Sequence, residues 1–347
     1  MYFKKILLAI ALIGLVIAAF LSYKIYNVMF KPNTAFNNEM AYIYIPTNAT
    51  YEVVREQLEP LVDNIGNFDA LASQKKYTTN IKAGKYAIKK GMTNNDIINT
   101  LRVNNLPVKI SFNNQETIER LAGRISTQIE ADSLQLLEVM KDAEFLQKNN
   151  FTSKTALGMY IPNSYEFFWN TSAEQFRDRM FMEYKRFWNE TRLAKAKKLG
   201  LSSNQVTILA SIVHKETTKV DERPRVAGVY LNRLKIGMLL QADPTVIFAV
   251  KQTTGNFDQV IKRVLYKDLE IDSPYNTYKY TGLPPGLIAM PDISAIDAVL
   301  NYESHEYFYF VADMKNFGYH KFAKTLSQHN INKQEYVRWI NQQGVNR

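Results

Sequence analysis

The chain opens with an unbroken apolar stretch. Lys4 and Lys5 precede an uncharged run from Ile6 to Tyr23, and Lys24 ends it. A bilayer core needs about 20 such residues, within a range of about 17–25. A secretory signal has a shorter apolar region of about 7–15 residues and a small-x-small cleavage site. The end of this run, "AAFLSYK", is a poor cleavage site. The pattern predicts an uncleaved transmembrane anchor at 6–23 with residues 1–5 in the cytoplasm, by the excess of Lys beside the N-terminus. Lys24 weakens that asymmetry. No second apolar run of this length follows, so the rest of the chain is expected outside the cytoplasmic (inner) membrane.

Residues 24–40 end in the polar "KPNTAFNNEM" and read as a linker. Alternation then sets in. "AYIYIP", "AGKYAI" and "PVKISF" have the period of strands. "TNATYEVVREQL" reads as a capped helix, and Thr93 with Asp96 forms a capping box ahead of "IINTLRV". Residues 41–112 are therefore expected to form a small α+β unit. From 113 to 200 the pattern is mainly helical, interrupted by a Gly/Pro-punctuated aromatic loop, "ALGMYIPNSYEFFW". From 201 to 347 helices alternate with a long irregular loop and a hairpin-like pair, "EYFYFVAD" and "YHKFAKT". The expected fold class is α+β: an N-terminal transmembrane helix, the small α+β module, and a larger mixed α/β domain at 113–347.

Composition narrows the partners. The 347 residues are 46% hydrophobic and 22% charged, with a net charge of +10. That excess suits an acidic partner or simply a solvated surface. No Lys/Arg run with interleaved aromatics appears, and a chain outside the cytoplasm makes nucleic acid an unsuitable partner and the cell wall a suitable one. The absence of Cys rules out disulfides and thiolate metal sites.

One helix carries a chemical anomaly. "LSSNQVTILASIVHKETTK" starts with Ser202 as N-cap and Gln205 three residues on. Leu209, Ile212 and Val213 form its apolar stripe. At 100° per residue, Glu216 lies about 20° from Leu209 and about 40° from Ile212, on that stripe, while His214 lies about 160° round from Glu216. A carboxyl withdrawn from water has a raised pKa and becomes a proton donor near neutral pH. The competing readings are that the stripe ends before Glu216, or that Arg223 or Arg225 pairs with it. Other chemistries fit less well. Ser211, His214 and Lys215 lack the spacing of a nucleophile elbow or of S-x-x-K. There is no metal-binding H-E-x-x-H and no Gly-rich phosphate loop.

The loop "SPYNTYKYTGLPPGLIAMPD" (273–292) combines Pro, Gly and Tyr. Loops of this length are uncommon inside compact domains and are often functional. Tyr rings suit stacking on a sugar face, although a rigid structural strap is the alternative. "QADPTV" (241–246) reads as a turn into a helix, with Asp243 as cap and Pro244 at its first position.

Together, "ILASIVHKET", "ERPRVAGVYLNRLKIGMLLQADPTVIF", "SPYNTYKYTGLPPGLI" and "YFYFVAD…GYHKFAKTLSQHN" resemble the YceG-like family. The resemblance runs from the anchor to about residue 340 and is densest over 208–330. It implies a LysM-like module at 41–112 and a catalytic domain at 113–347, with the active-site part at 201–347. A family motif E-G-x-x-x-P-x-T-Y matches around Tyr160, Pro162 and Tyr165, with departures at Leu157 and Ser164. Where relatives commonly read E-K-E-T this chain reads H-K-E-T, so the catalytic glutamate maps to Glu216 and the first position is His214.

The resemblance also implies an activity: endolytic lytic transglycosylase action on peptidoglycan glycan strands, with a single acid/base, a 1,6-anhydro product, termination of glycan elongation and peptidoglycan synthases as partners. No cofactor and no metal are implied. It implies sugar-binding roles for Gln241, Asp243, Thr245, Ser273, Tyr275, Asn276, Thr277, Tyr278, His320 and Thr325, and supporting roles for Glu222, Asn232 and Arg233. A non-catalytic glycan-binding scaffold and a water-using glycoside hydrolase stay open beside it.

Overall fold

A computed structural model describes residues 2–342. In chain order its elements are α1 (Tyr2–Phe30), β1 (Met40–Ile45), α2 (Tyr51–Leu58), α3 (Ile65–Gln74), β2 (Gly84–Lys89), α4 (Asn94–Val103) and β3 (Pro107–Phe112). There follow α5 (Ile118–Ser126), α6 (Ser133–Met140), α7 (Ala143–Lys148), β4 (Asn163–Phe168), α8 (Ala173–Phe187), α9 (Glu190–Lys198) and α10 (Ser203–Glu216). The last are α11 (Arg223–Lys235), α12 (Asp243–Thr254), α13 (Tyr266–Leu269), α14 (Ile293–Leu300), β5 (Tyr309–Ala312), β6 (His320–Ala323) and α15 (Leu326–Gln342). They divide into two compact units: residues 1–110 with 128–131 and 165–172, and residues 111–127, 132–164 and 173–347.

In the smaller unit, α1 is largely apolar, exposed as far as Tyr26 and long enough to cross a membrane. At 1.5 Å per residue it is about 43 Å long, against a hydrocarbon core of about 30 Å. Its last turn meets the unit's core through Val28 and Met29, and the Asn94 amide donates to the Val28 carbonyl at 2.8 Å. β1 alternates as its sequence dictates: Ile43 and Ile45 are buried, while Tyr42 and Tyr44 face outward. It pairs antiparallel with β2, Ile43 opposite Tyr86. The capping box of Thr93 and Asp96 starts α4, which buries Ile97, Ile98 and Leu101 against the sheet and helices. An additional helix, α3, occupies 65–74, where the pattern predicted no element. It is short, contains Gly66, and draws its place from burying Phe68 and Leu71.

The larger unit is mostly helical. α10 starts at the Ser202–Gln205 capping box, and Val206 to Val213 are all buried. α9, α11, α12 and α14 pack around it. Gly228 lets α11 approach closely, since a Cβ there would lie 2.5 Å from the Glu303 carbonyl oxygen. The 156–169 segment departs from the loop expectation. A short 3-10 turn opens it and β4 follows, with Tyr165 and Phe167, which belong to the smaller unit, turned inward between exposed neighbours. β5 and β6 form the expected antiparallel hairpin, Ala312 opposite His320. The 273–292 segment has neither helix nor strand. It is nevertheless largely buried at Tyr275–Thr277 and Leu287–Met290.

Candidate active site

Glu216 is the last residue of α10, and Thr217 leaves the helix in an extended conformation. Leu209 and Ile212 on the same stripe are fully buried, while Glu216 itself keeps partial contact with solvent. The protein packed around its carboxyl, and next the negative charge of Asp243, push its pKa up to about 7. His320, the Tyr230 hydroxyl and Arg233 act the other way. Neither arginine considered from the sequence pairs with it. Arg223 binds the Thr217 carbonyl, Asp292 and Ser294, and Arg225 binds Glu303. A half-buried carboxyl with a pKa near neutrality can both give and take a proton.

Three elements bring groups to Glu216. α11 supplies Tyr230 and Arg233 from its buried face. The Tyr230 hydroxyl is buried, has no partner at full hydrogen-bond geometry, and is close enough to Glu216 to bias its ionisation. Burial, then the Glu216 charge, hold the phenol far above its ordinary pKa. Arg233 is fixed by donating Nε–H to the Phe308 carbonyl at 2.7 Å and Nη1–H to that of Leu240. α12 supplies Asp243. The structure corrects the expected cap: Ala242 is the N-cap, Asp243 is the first helical residue, and no side chain caps the helix. The Asp243 carboxylate accepts instead from the Tyr278 hydroxyl at 2.5 Å. The hairpin supplies His320, whose Nδ1 is 2.9 Å from Glu222 Oε2 and whose backbone N–H donates to Oε1 at 2.6 Å. The Thr217 hydroxyl also donates to Glu222. Burial favours the neutral Glu222, but the His320 and Thr217 hydrogen bonds prevail and hold its pKa below the ordinary carboxylate value.

The other residues singled out from the sequence have different surroundings. Gln241 has a left-handed backbone, φ 48°, uncommon for a non-glycine residue. Its N–H donates to the Thr277 carbonyl, and its side chain is exposed. Thr245 and Thr277 are buried with their hydroxyls 2.8 Å apart, and Thr277 Oγ1 also accepts from the Ala242 N–H. Asn276 is fully buried: its amide donates to the Leu269 and Ile271 carbonyls, and its Oδ1 accepts from the Tyr278 N–H. Ser273 is buried and accepts from the N–H of Tyr275. Tyr275 is buried with its ring 4.7 Å from that of Phe248, which departs from the expected open stacking surface. Asn232 holds the chain ahead of β5 by donating to the His305 and Tyr307 carbonyls. Thr325 is exposed and accepts from the Gln328 N–H at the start of α15.

Glu216, Tyr230, Arg233, Asp243, Tyr278 and His320 thus form one electrostatic cluster. Ser273, Asn276, Thr277 and Thr245 wire the loop beneath it. Tyr230 was not among the residues picked from the sequence, because "RVAGVYLNRL" reads as an ordinary core helix. His214 faces away from Glu216, toward Asp292 at 3.2 Å and Arg223. Among the described residues, no group of three or more His, Asp or Glu is placed to hold a metal ion.

The sequence model of the YceG-like family matches residues 43–335. An endolytic murein transglycosylase of Bacillus subtilis (strain 168) is 33% identical over 279 residues, covering 76% of this chain and 75% of the relative. A protein of the same name from Streptococcus pneumoniae (serotype 2, strain D39) is 26% identical over 88% of this chain, which spans 60% of that relative's length. The crystal structure of a YceG-like protein from Listeria monocytogenes superposes with a TM-score of 0.56 at 29% identity, over 85% of this chain and 99% of the other. The chain is a member of the YceG-like family.

Proposed function

We propose that the protein is an endolytic murein transglycosylase that cuts peptidoglycan glycan strands, anchored in the cytoplasmic membrane by α1 with its N-terminus in the cytoplasm. The observation that carries this reading is Glu216, a half-buried carboxyl whose pKa lies near 7, in a family whose curated relatives bear that name. Protonated Glu216 gives its proton to the oxygen bridging C1 of N-acetylmuramic acid and C4 of N-acetylglucosamine. The C1–O bond breaks with its electron pair going to that oxygen. The sugar's own 6-hydroxyl closes on C1, and Glu216 takes the hydroxyl proton, returning to its starting state. A 1,6-anhydro end results.

One group acting twice suits the electrostatics. A group that is protonated in the first half and ionised in the second needs a pKa near the working pH, and His320 and Arg233 temper the anion when it forms. Glu222 is occupied in holding His320, and Tyr278, still half-exposed beside Asp243, is the ring best placed to meet a sugar. Residues 41–112 would serve as a LysM-like glycan-binding module. Termination of strand elongation beside peptidoglycan synthases fits a membrane anchor.

A second reading rests on Asp243, whose charge reaches Glu216. Two carboxylates are the equipment of a water-using glycosidase. Mass analysis of fragments from purified glycan strands separates the two: 1,6-anhydro ends, each one water lighter, support the transglycosylase, and ordinary reducing ends support the hydrolase.

A further inference from the structure

A cavity of about 400 Å³ is lined by the chain neighbours of two members of the Glu216 cluster, Lys215 beside Glu216 and Pro244 beside Asp243. Lys215, which precedes Glu216 on α10, lines it. So do Pro244, Ile247, Phe248 and Lys251 of α12, the helix that begins at Asp243. Phe248 carries the buried Tyr275 ring on its flank, so the tyrosine loop backs the cavity. The remaining wall is apolar at Phe257, Val260 and Ile261, with Val260 80% exposed.

The polar groups are arranged around one carboxylate. Glu116 Oε1 accepts from Lys215 Nζ at 2.7 Å and Oε2 from Lys251 Nζ at 2.8 Å. The Lys251 side chain is only 12% exposed. Arg120 pairs with Asp258 at the rim. Three cations, Arg120, Lys215 and Lys251, thus face two carboxylates, Glu116 and Asp258, which leaves one positive charge in excess. Two ammonium groups share one internal carboxylate. An entering anion could take the same donors.

We propose, resting on the glycan-cleaving reading above, that this cavity receives the carboxylate-bearing peptide stem of the substrate. The chemistry of the cut supplies the reason. The muramic ring broken at C1 carries its stem through the lactyl group on C3 of the same ring. An acid at C1 therefore has the stem beside it. That stem presents carboxylates and small apolar side chains, which match two lysines in an apolar-walled cavity. Glu116 then acts as a resident competitor for the stem carboxylate.

Lys251 and its partner Glu116 predict effects of opposite sign. The full-length chain in detergent, carrying Glu216→Gln so that strands stay intact, is titrated with stemmed glycan strands and with strands stripped of peptide. Lys251→Met should lower the ratio of stemmed to stripped affinity about tenfold, the loss of one charge-assisted hydrogen bond. Glu116→Gln, which removes the competitor, should raise that ratio. If both variants lower it, or neither changes it, the lysine–glutamate triad is only a structural clasp and the proposal is overturned. Thermal midpoints and stripped-strand affinity show that each variant is folded. Cleavage by the unmutated chain is read in parallel. Stem-selective binding without cleavage would sink the transglycosylase reading and leave the stem site standing. Cleavage without stem selectivity would do the reverse.

Discussion

The Tyr278 hydroxyl donates to Asp243 Oδ1 at 2.5 Å, and the negative charge so held raises the pKa of Glu216. The loop thereby reaches the proton donor through the first residue of α12. Asp243→Asn keeps the acceptor and removes the charge. The Glu216 pKa should then fall below about 7. Because the protonated form is the donor, the alkaline fall in kcat should begin at lower pH. A pH–rate profile read on both proteins checks this, and an unmoved alkaline limb would show that Asp243 does not tune the acid.

Tyr230→Phe should act in the opposite direction. The hydroxyl favours ionised Glu216, so its removal should raise the Glu216 pKa and carry the alkaline limb to higher pH. The hydroxyl is buried without a fully formed hydrogen bond, and its loss should leave the thermal midpoint level or higher. A marked loss of stability would mean that the phenol is anchored elsewhere.

Glu222 is expected to matter for stability as well as for placing His320. Its folded pKa is depressed by the His320 and Thr217 hydrogen bonds despite burial. The ionised native form is therefore favoured. Its contribution is complete above the ordinary glutamate pKa and is lost as pH falls through the lower, folded value. Glu222→Ala should cost about 1–3 kcal/mol at neutral pH, because it strands buried donors, and should flatten the acid branch of the stability curve. Urea unfolding at a series of pH values measures both.

The loop makes a contrast with its sequence reading. A run rich in Tyr and Pro promises rings turned to a ligand, yet Tyr275 is buried against Phe248 and Gly286 admits it. A Cβ at Gly286 would lie 2.7 Å from the Tyr275 hydroxyl and closer still to the Lys154 carbonyl. Tyr275→Ala should therefore cost about 3–5 kcal/mol, as truncation of a buried aromatic does. Gly286→Ala should also destabilise. Tyr278→Ala should chiefly weaken glycan binding. A Tyr275→Ala variant with unchanged stability and a raised KM would restore the stacking reading for that ring.

These contrasts show what a pattern can carry. Glu216 was legible because a 3.6-residue period fixes a side chain's face without reference to anything distant. The Ser202 and Thr93 caps were legible for the same local reason. Tyr230 was not, because its meeting with Glu216 depends on how α11 packs on α10. Asn276 and Thr277 look like polar ligand contacts in a sequence, but their donors and acceptors are taken up by the Leu269 and Ile271 carbonyls just ahead of the loop, by the Tyr278 N–H and by Thr245. α3 was missed because a short helix with an internal glycine owes its stability to burial of Phe68 and Leu71.

The central claim is that Glu216 alone gives and takes the proton, and Glu216→Gln tests it most directly. The amide keeps shape and hydrogen bonding but has no acidic proton. Cleavage should fall by at least about 10²–10⁴-fold, while glycan binding persists. Folding offers an internal control. With a folded pKa of about 7, above the unfolded value, the native state binds the extra proton, so Glu216 loses stability as pH rises between the two. The variant should therefore be more stable than the parent at pH 8 and equal to it at pH 4. The measurement is fragment yield and mass from purified glycan strands, parent against variant. The account predicts 1,6-anhydro ends from the parent and almost no fragments from Glu216→Gln. Near-parental cleavage by a folded Glu216→Gln protein would contradict it.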